Sequence, residues 1–127
     1  MNAAVGKAVV FDCDGLLLDT EPCWTRAQTR LFERFGRRFG LEEKQALVGT
    51  APATAAVVLE RLLEQPGRGR VLSDELYDLA YDELAGGAEP MPGALELVGE
   101  LRGSRPLGVA SNAPRRHLLA SLRRVGL

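Results

Sequence analysis

Phe11-Asp12-Cys13-Asp14-Gly15-Leu16-Leu17-Leu18-Asp19-Thr20-Glu21 is the stretch on which the reading of this chain turns. It is entered from Ala8-Val9-Val10-Phe11, a short apolar run with a β-branched centre that ends at Asp and Gly, which predicts a buried parallel strand. Such a strand delivers Asp12 to its carboxyl end, the edge at which open α/β sheets place their ligands. Asp14 follows two residues later, so an extended chain projects both carboxylates to the same side, and Gly15 then permits a turn. Two close carboxylates repel each other and coexist only with a cation between them or a proton on one. A metal-assisted nucleophile next to an acid needs such a pair. An EF-hand loop also begins Asp-x-Asp, but it requires Gly at its sixth position and Glu at its twelfth, where this chain has Leu17 and Cys23. On Asp12 to Gly15 alone a solvent-facing Asp/Gly turn competes with the catalytic reading. A phospho-accepting signalling domain also puts Asp at a strand end, but not normally with a large helical block after it.

Outward from this stretch the pattern is helical for a long way. Trp24, Ala27, Leu31, Phe32 and Phe35 recur at three- and four-residue spacing, predicting a helix from Pro22 to Phe35 that Gly36 and Gly40 end. Leu41 to Val48 and Ala53 to Leu63 follow as helices, parted by Gly49 and Pro52. Ser73-Asp74-Glu75-Leu76 has the form of a capped helix start, and that helix runs to Gly86-Gly87. After Pro90-Met91-Pro92-Gly93 the alternation of α and β returns: helix Ala94 to Leu101, buried strand Leu107 to Ala110, helix Pro114 to Val125. Two strand-then-loop units flanking four successive helices imply an α/β core with a helical cap inserted into it.

The second strand ends at Ser111-Asn112-Ala113-Pro114. A strand-to-helix junction has free backbone N–H groups and a helix dipole that favour an anion, and Ser111 adds a hydroxyl donor. Equally, Ser111 or Asn112 is a good cap for the helix that begins near Pro114. Arg115 and Arg116 sit in the first turn of that helix, where positive charge is disfavoured, a cost that a bound anion or exposure to solvent relieves.

The eleven residues Phe11 to Glu21 resemble the first signature of the haloacid dehalogenase superfamily of phosphohydrolases, in the branch with a helical cap just after it. Ser111-Asn112, after a strand and about a hundred residues further on, matches the second signature. The resemblance implies a Rossmann-like parallel-sheet core, incomplete here, over residues 1–18 and 89–127, with the cap over 19–88. It implies that Asp12 attacks phosphorus to form an aspartyl-phosphate, and that Asp14 protonates the leaving oxygen and then activates water. It also implies that the Asp12 carboxylate and the Asp14 backbone carbonyl hold Mg²⁺, that Ser111 binds the phosphoryl group, and that Asn112 contacts substrate or phosphate. A carboxylate is a poor nucleophile towards an anionic phosphate unless a cation offsets the repulsion, which agrees with a metal at this place. The turn Gly49-Thr50-Ala51-Pro52 is where related caps dip towards the site, so Thr50 joins Arg115 as a substrate-contact candidate.

Two further signatures of the family, a Lys and an acidic pair, lie downstream of the Ser in relatives. After Asn112 this chain has no Lys, Asp or Glu, and its two lysines are Lys7 and Lys44. The expectation is therefore a phosphomonoester hydrolase of a small phosphorylated metabolite, represented by an amino-terminal portion, a truncated product or one part of an assembly. A remnant that binds phosphate or a partner protein without turnover is the rival reading. A sugar-phosphate mutase is disfavoured because the Thr50 turn has no basic residue for a second phosphate. Dehalogenation is disfavoured because those enzymes generally lack the acid that Asp14 supplies.

Composition narrows the field further. The chain has 127 residues, about one domain's worth, with 46% hydrophobic residues and a formal net charge of −1. This balance lacks the basic excess of a nucleic-acid binder, and no apolar run approaches the roughly 20 residues that span a bilayer. No secretory signal is legible, and a cytoplasmic location is the expectation. Cys13 and Cys23, with His117 the only histidine, are too few for a disulfide scaffold or a four-ligand zinc site. Cys13 between two acids should have a raised pKa and an inert thiol, Trp24, Phe32 and Phe35 should be core, and His117 structural or exposed. Charge is segregated: eight acids and no Lys or Arg from Val71 to Glu100, then six arginines and no acid from Leu101 onward. Two solvated faces explain this, as does a positive field around Arg115 and Arg116 that attracts an anion.

Overall fold

The computed structural model describes residues 6–127. Its elements run β1 (Val9–Phe11), β2 (Leu18–Asp19), α1 (Glu21–Arg34), α2 (Leu41–Leu47), α3 (Pro52–Leu62), α4 (Gly69–Gly87), β3 (Glu89–Pro90), α5 (Ala94–Leu101), β4 (Leu107–Val109) and α6 (Arg115–Arg124). They form two compact units, one of residues up to Pro22 together with Leu84–Leu127, the other Cys23–Glu83. Among the described residues no helix is long and apolar enough to cross a membrane.

In the first unit β1 and β4 pair in parallel, with Val9 opposite Leu107 and Phe11 opposite Val109. The ladder continues by one bond at each end, Val9 N–H to Pro106 O (3.0 Å) and Ala110 N–H to Phe11 O (2.9 Å). Phe11, Cys13, Leu17, Leu18, Ala94 and Val98 form the buried core beneath it, with Leu118 and Leu122 of α6 packed against them. Val10, on the other face of β1, is 64% exposed, an unusual position for a β-branched residue in a parallel pair. A second ladder, unanticipated from the sequence, joins β2 and β3 antiparallel, Leu18 opposite Pro90 and Asp19 opposite Glu89. Two like charges face each other there, which is unfavourable. Arg124 of α6 offsets it, its Nη2 reaching Glu89 Oε1 at 2.6 Å and its Nε donating to Ala88 O at 3.1 Å.

The second unit contains the helices α1 to α3 and most of α4. Ala27, Leu31 and Phe32 of α1, Leu59 of α3 and Leu72, Leu76, Leu79 and Ala80 of α4 bury into one core, with Trp24 and Phe35 packed against it. Glu43, at the third position of α2, accepts from the Gly40 N–H at 3.0 Å, the returning half of a capping box. The start of α4 corrects the sequence reading: the helix begins at Gly69, not at Ser73. Ser73 is buried within the helix and donates to Pro52 O at 3.3 Å. The acceptor for the amides at the start comes from α3, where Glu60 takes the Gly67 N–H at 2.8 Å and the Gly69 N–H at 3.2 Å. The charge segregation is also partly undone within this unit. Glu83 pairs with Arg26 (2.7 Å) and Arg30 (3.2 Å), and Glu75 with Arg34 (3.5 Å).

Candidate active site

Because β1 and β4 are parallel neighbours in register, they end side by side, and the residues that leave them share one edge of the sheet. Past Phe11 the exposure alternates: Asp12 exposed, Cys13 buried, Asp14 exposed. This is the pattern of an extended chain whose alternate side chains point to opposite sides. The Cys13 carbonyl then collects the amides of Leu16 (3.2 Å), Leu17 (3.0 Å) and Leu18 (3.1 Å), folding the chain back. Gly15 makes this turn with φ +77°, the left-handed region that favours glycine.

Asp12 Oδ1 accepts the Cys13 N–H at 2.8 Å, and among the described residues no hydrogen bond is made to its Oδ2. Asp14 is held on both oxygens. Oδ1 accepts from the Thr20 hydroxyl at 2.7 Å and Oδ2 from the Ser111 hydroxyl at 3.1 Å. The structure thus brings Asp14 and Ser111, 97 positions apart, into direct contact. Thr20 is the residue that sequence reasoning passed over. It is buried, and its signal was its place as a hydroxyl residue inside the eleven-residue stretch.

Ser111 Oγ itself accepts the Ala113 N–H at 3.1 Å, a local turn. Among the described residues no side chain caps α6, whose N-cap is Pro114, so the capping reading of Ser111 and Asn112 is not what the fold uses. Asn112 is exposed in the junction and Arg115 is the exposed first residue of α6. His117 is buried on α6, and Ser121 donates to its carbonyl at 2.8 Å. Thr50 belongs to the helical unit, where its hydroxyl donates to Leu47 O at 2.7 Å and closes the end of α2. Burial, then Asp14, then Asp12 push the Cys13 thiol up from 9.0 to about 11, so it is not a nucleophile at neutral pH.

Asp12 and Asp14 supply hard oxygen donors, and Mg²⁺ takes one or two carboxylates while keeping several waters. The residues fit that ion in kind. No group of three or more His, Cys, Asp or Glu side chains suited to a metal occurs among the described residues.

A family model, haloacid dehalogenase-like hydrolase, matches residues 7–127. The chain is 32% identical to (DL)-glycerol-3-phosphatase 2 of Arabidopsis thaliana over 86% of its own length and 46% of the plant protein. It is 26% identical to the phosphorylated carbohydrates phosphatase of Thermotoga maritima, over 95% of this chain and 56% of that one. A Bacillus subtilis HAD-hydrolase, YfnB, solved bound to magnesium, superposes with a TM-score of 0.74 at 20% identity, covering 95% of this chain and 60% of the other. The chain spans about half the length of these relatives.

Proposed function

The chain belongs to the haloacid dehalogenase-like hydrolases, and from that premise we propose that it carries the nucleophile and the acid–base residue of a phosphomonoester hydrolase for a small phosphorylated metabolite. The helical unit Cys23–Glu83, within the 19–88 read from the sequence, serves as its cap, and the described residues up to Pro22 with Leu84–Leu127 as part of its core. The plant and Thermotoga relatives are named as phosphatases of glycerol 3-phosphate and of phosphorylated carbohydrates, which supports a small polyol or sugar phosphate as substrate.

The single observation that carries the reading is the convergence of two loops on one carboxylate, Asp14. Asp12, steadied through Oδ1 by the Cys13 amide, attacks phosphorus with Oδ2. The bond from phosphorus to the ester oxygen breaks, and Asp14, protonated for this step, gives its proton to that oxygen. This leaves a free alcohol and a phosphorylated Asp12. Asp14, now a carboxylate, takes a proton from water as the water oxygen attacks phosphorus. The bond to Asp12 breaks, which yields inorganic phosphate and restores both residues. The Asp12 carboxylate and the Asp14 backbone carbonyl would hold Mg²⁺, whose charge, when bound, would offset the repulsion between carboxylate and phosphate. Ser111 receives the phosphoryl oxygens, Asn112 contacts substrate or phosphate, and Arg115 and Thr50 are the candidates for substrate contact.

A second reading has its own support. With no Lys after Asn112 and, among the described residues, no group of three or more His, Cys, Asp or Glu side chains suited to a metal, the chain as it stands would bind phosphate and turn over little. One experiment addresses both. The chain is incubated with p-nitrophenyl phosphate and Mg²⁺, quenched in acid and mapped by mass spectrometry. The hydrolase reading expects one phosphoryl group on Asp12, absent in Asp12→Asn. A phosphoryl group that persists in Asp12→Asn would sink the assignment of the nucleophile. Saturable phosphate binding with no adduct favours the binding remnant.

A further inference from the structure

We propose that the Ser111 hydroxyl is a donor shared between Asp14 and the phosphoryl group, so that an anion arriving at Ser111 releases one of the two tethers on Asp14. This rests on the reading of Ser111 as a phosphoryl contact and adds to it a positioning task. A serine hydroxyl has one proton to give. Here that proton lies in the 3.1 Å bond to Asp14 Oδ2. The other connection of Ser111 Oγ is as acceptor for the Ala113 N–H, and it leaves no second donor. A phosphoryl oxygen that takes the Ser111 proton therefore takes it from Asp14.

The two tethers are unequal. Thr20 is buried and its bond to Oδ1 is 2.7 Å, whereas Ser111 is half-buried with the longer bond. Exchange of the weaker tether leaves Asp14 hinged on Thr20 alone, with Oδ2 released for the leaving oxygen or for water. Binding at Ser111 and release of Asp14 are then one linked equilibrium, and linkage is reciprocal: removal of Asp14 as acceptor must strengthen the hold of Ser111 on phosphate. Simple charge repulsion also predicts tighter phosphate binding without Asp14, but it does so whether or not Ser111 is present. A double-mutant cycle separates the two.

The test measures inorganic phosphate binding to the 127-residue chain by NMR titration in four forms: unmodified, Asp14→Ala, Ser111→Ala and the double variant. A shared proton makes the gain in affinity from Asp14→Ala about fivefold larger when Ser111 is present, the worth of roughly one hydrogen bond. Equal gains in both backgrounds overturn the shared donor while leaving Ser111 as a phosphate contact. If Ser111→Ala weakens binding in neither background, the phosphate role of Ser111 fails and the shared donor falls with it. Should Asp14→Ala not fold, Asp14→Asn closes the same cycle with the same sign, because an amide oxygen is a weaker acceptor than a carboxylate.

Discussion

Cys13 is enclosed by the residues that matter most, yet its own chemistry is suppressed. The sequence placed it between two acids, and the raised pKa expected from that setting is present, but burial ranks above either carboxylate as its cause. The consequence has a definite sign. In the folded chain the thiol keeps its proton up to about 11, whereas the unfolded thiol loses it near 9.0, so the unfolded state binds fewer protons between these values. Stability should therefore fall as pH rises from about 9 to about 11. Urea midpoints measured across that range should drop less for Cys13→Ala than for the unmodified chain, after the difference at pH 7 is subtracted. Identical slopes would refute the buried neutral thiol. Thr20 shows the limit of residue-by-residue reading. Its identity was visible, but its hydrogen bond to Asp14 depends on the turn of Leu16 to Leu18 onto the Cys13 carbonyl, which no pairwise spacing reveals. Thr20→Val keeps the shape and deletes that donor. It should lower stability by about 1–2 kcal/mol at neutral pH, read from urea unfolding, because a hydrogen bond to a carboxylate is lost.

At the scale of elements, helices whose stop and start signals are local were legible, and those completed by distant residues were not. Gly36 and Gly49, both with positive φ, end α1 and α2 where the chain punctuation indicated. The start of α4 was misplaced because Ser73-Asp74-Glu75 mimics a local cap, whereas Glu60 supplies the acceptor from another helix. That arrangement demands close approach. A Cβ on Gly69 would stand 2.5 Å from Ala56 O and 2.9 Å from Glu60 Oε2, so Gly69→Ala must push α4 away from α3. The expected loss is about 1–3 kcal/mol, carried by the helical unit and visible in its thermal transition. The two-residue strands β2 and β3 are too short to leave any periodicity, which is why they were missed. Glu83 offers a pH test of the same unit. The hydrogen bond from Arg26 lowers its carboxyl below the ordinary range, with the Arg30 bond and the charge of both arginines acting the same way against burial. Its contribution is therefore present above 4.5 and lost as pH falls through the lowered value. Glu83→Gln should reduce stability at pH 7 and leave it unchanged at pH 2, and 1 M salt should shrink the difference.

Over the whole molecule the two units differ in how far each is finished as a structure. The helical unit closes a core of eleven buried residues contributed by all four helices. In the unit with Asp12, Asp14 and Ser111 the corresponding cluster, among the described residues, has six, beneath two short two-stranded ladders, and the outer face of β1 shows Val10 to solvent. Sheets of two strands are marginal by themselves, and parallel strands are normally covered on both faces. Opening free energies should follow this division. In native-state hydrogen exchange, amides of β1 and β4 should exchange before those in the cores of α1, α3 and α4, at a denaturant concentration that leaves the helices protected. The functional reading adds a second condition. If inorganic phosphate binds the folded form of the site-bearing unit and not its unfolded form, saturating phosphate should slow exchange in β1 and β4 and leave the helical unit unchanged. Uniform slowing across both units would mean that the chain unfolds as one cooperative body. No slowing anywhere would mean that Ser111 and its junction do not hold phosphate, and the assignment of the site would fail with them.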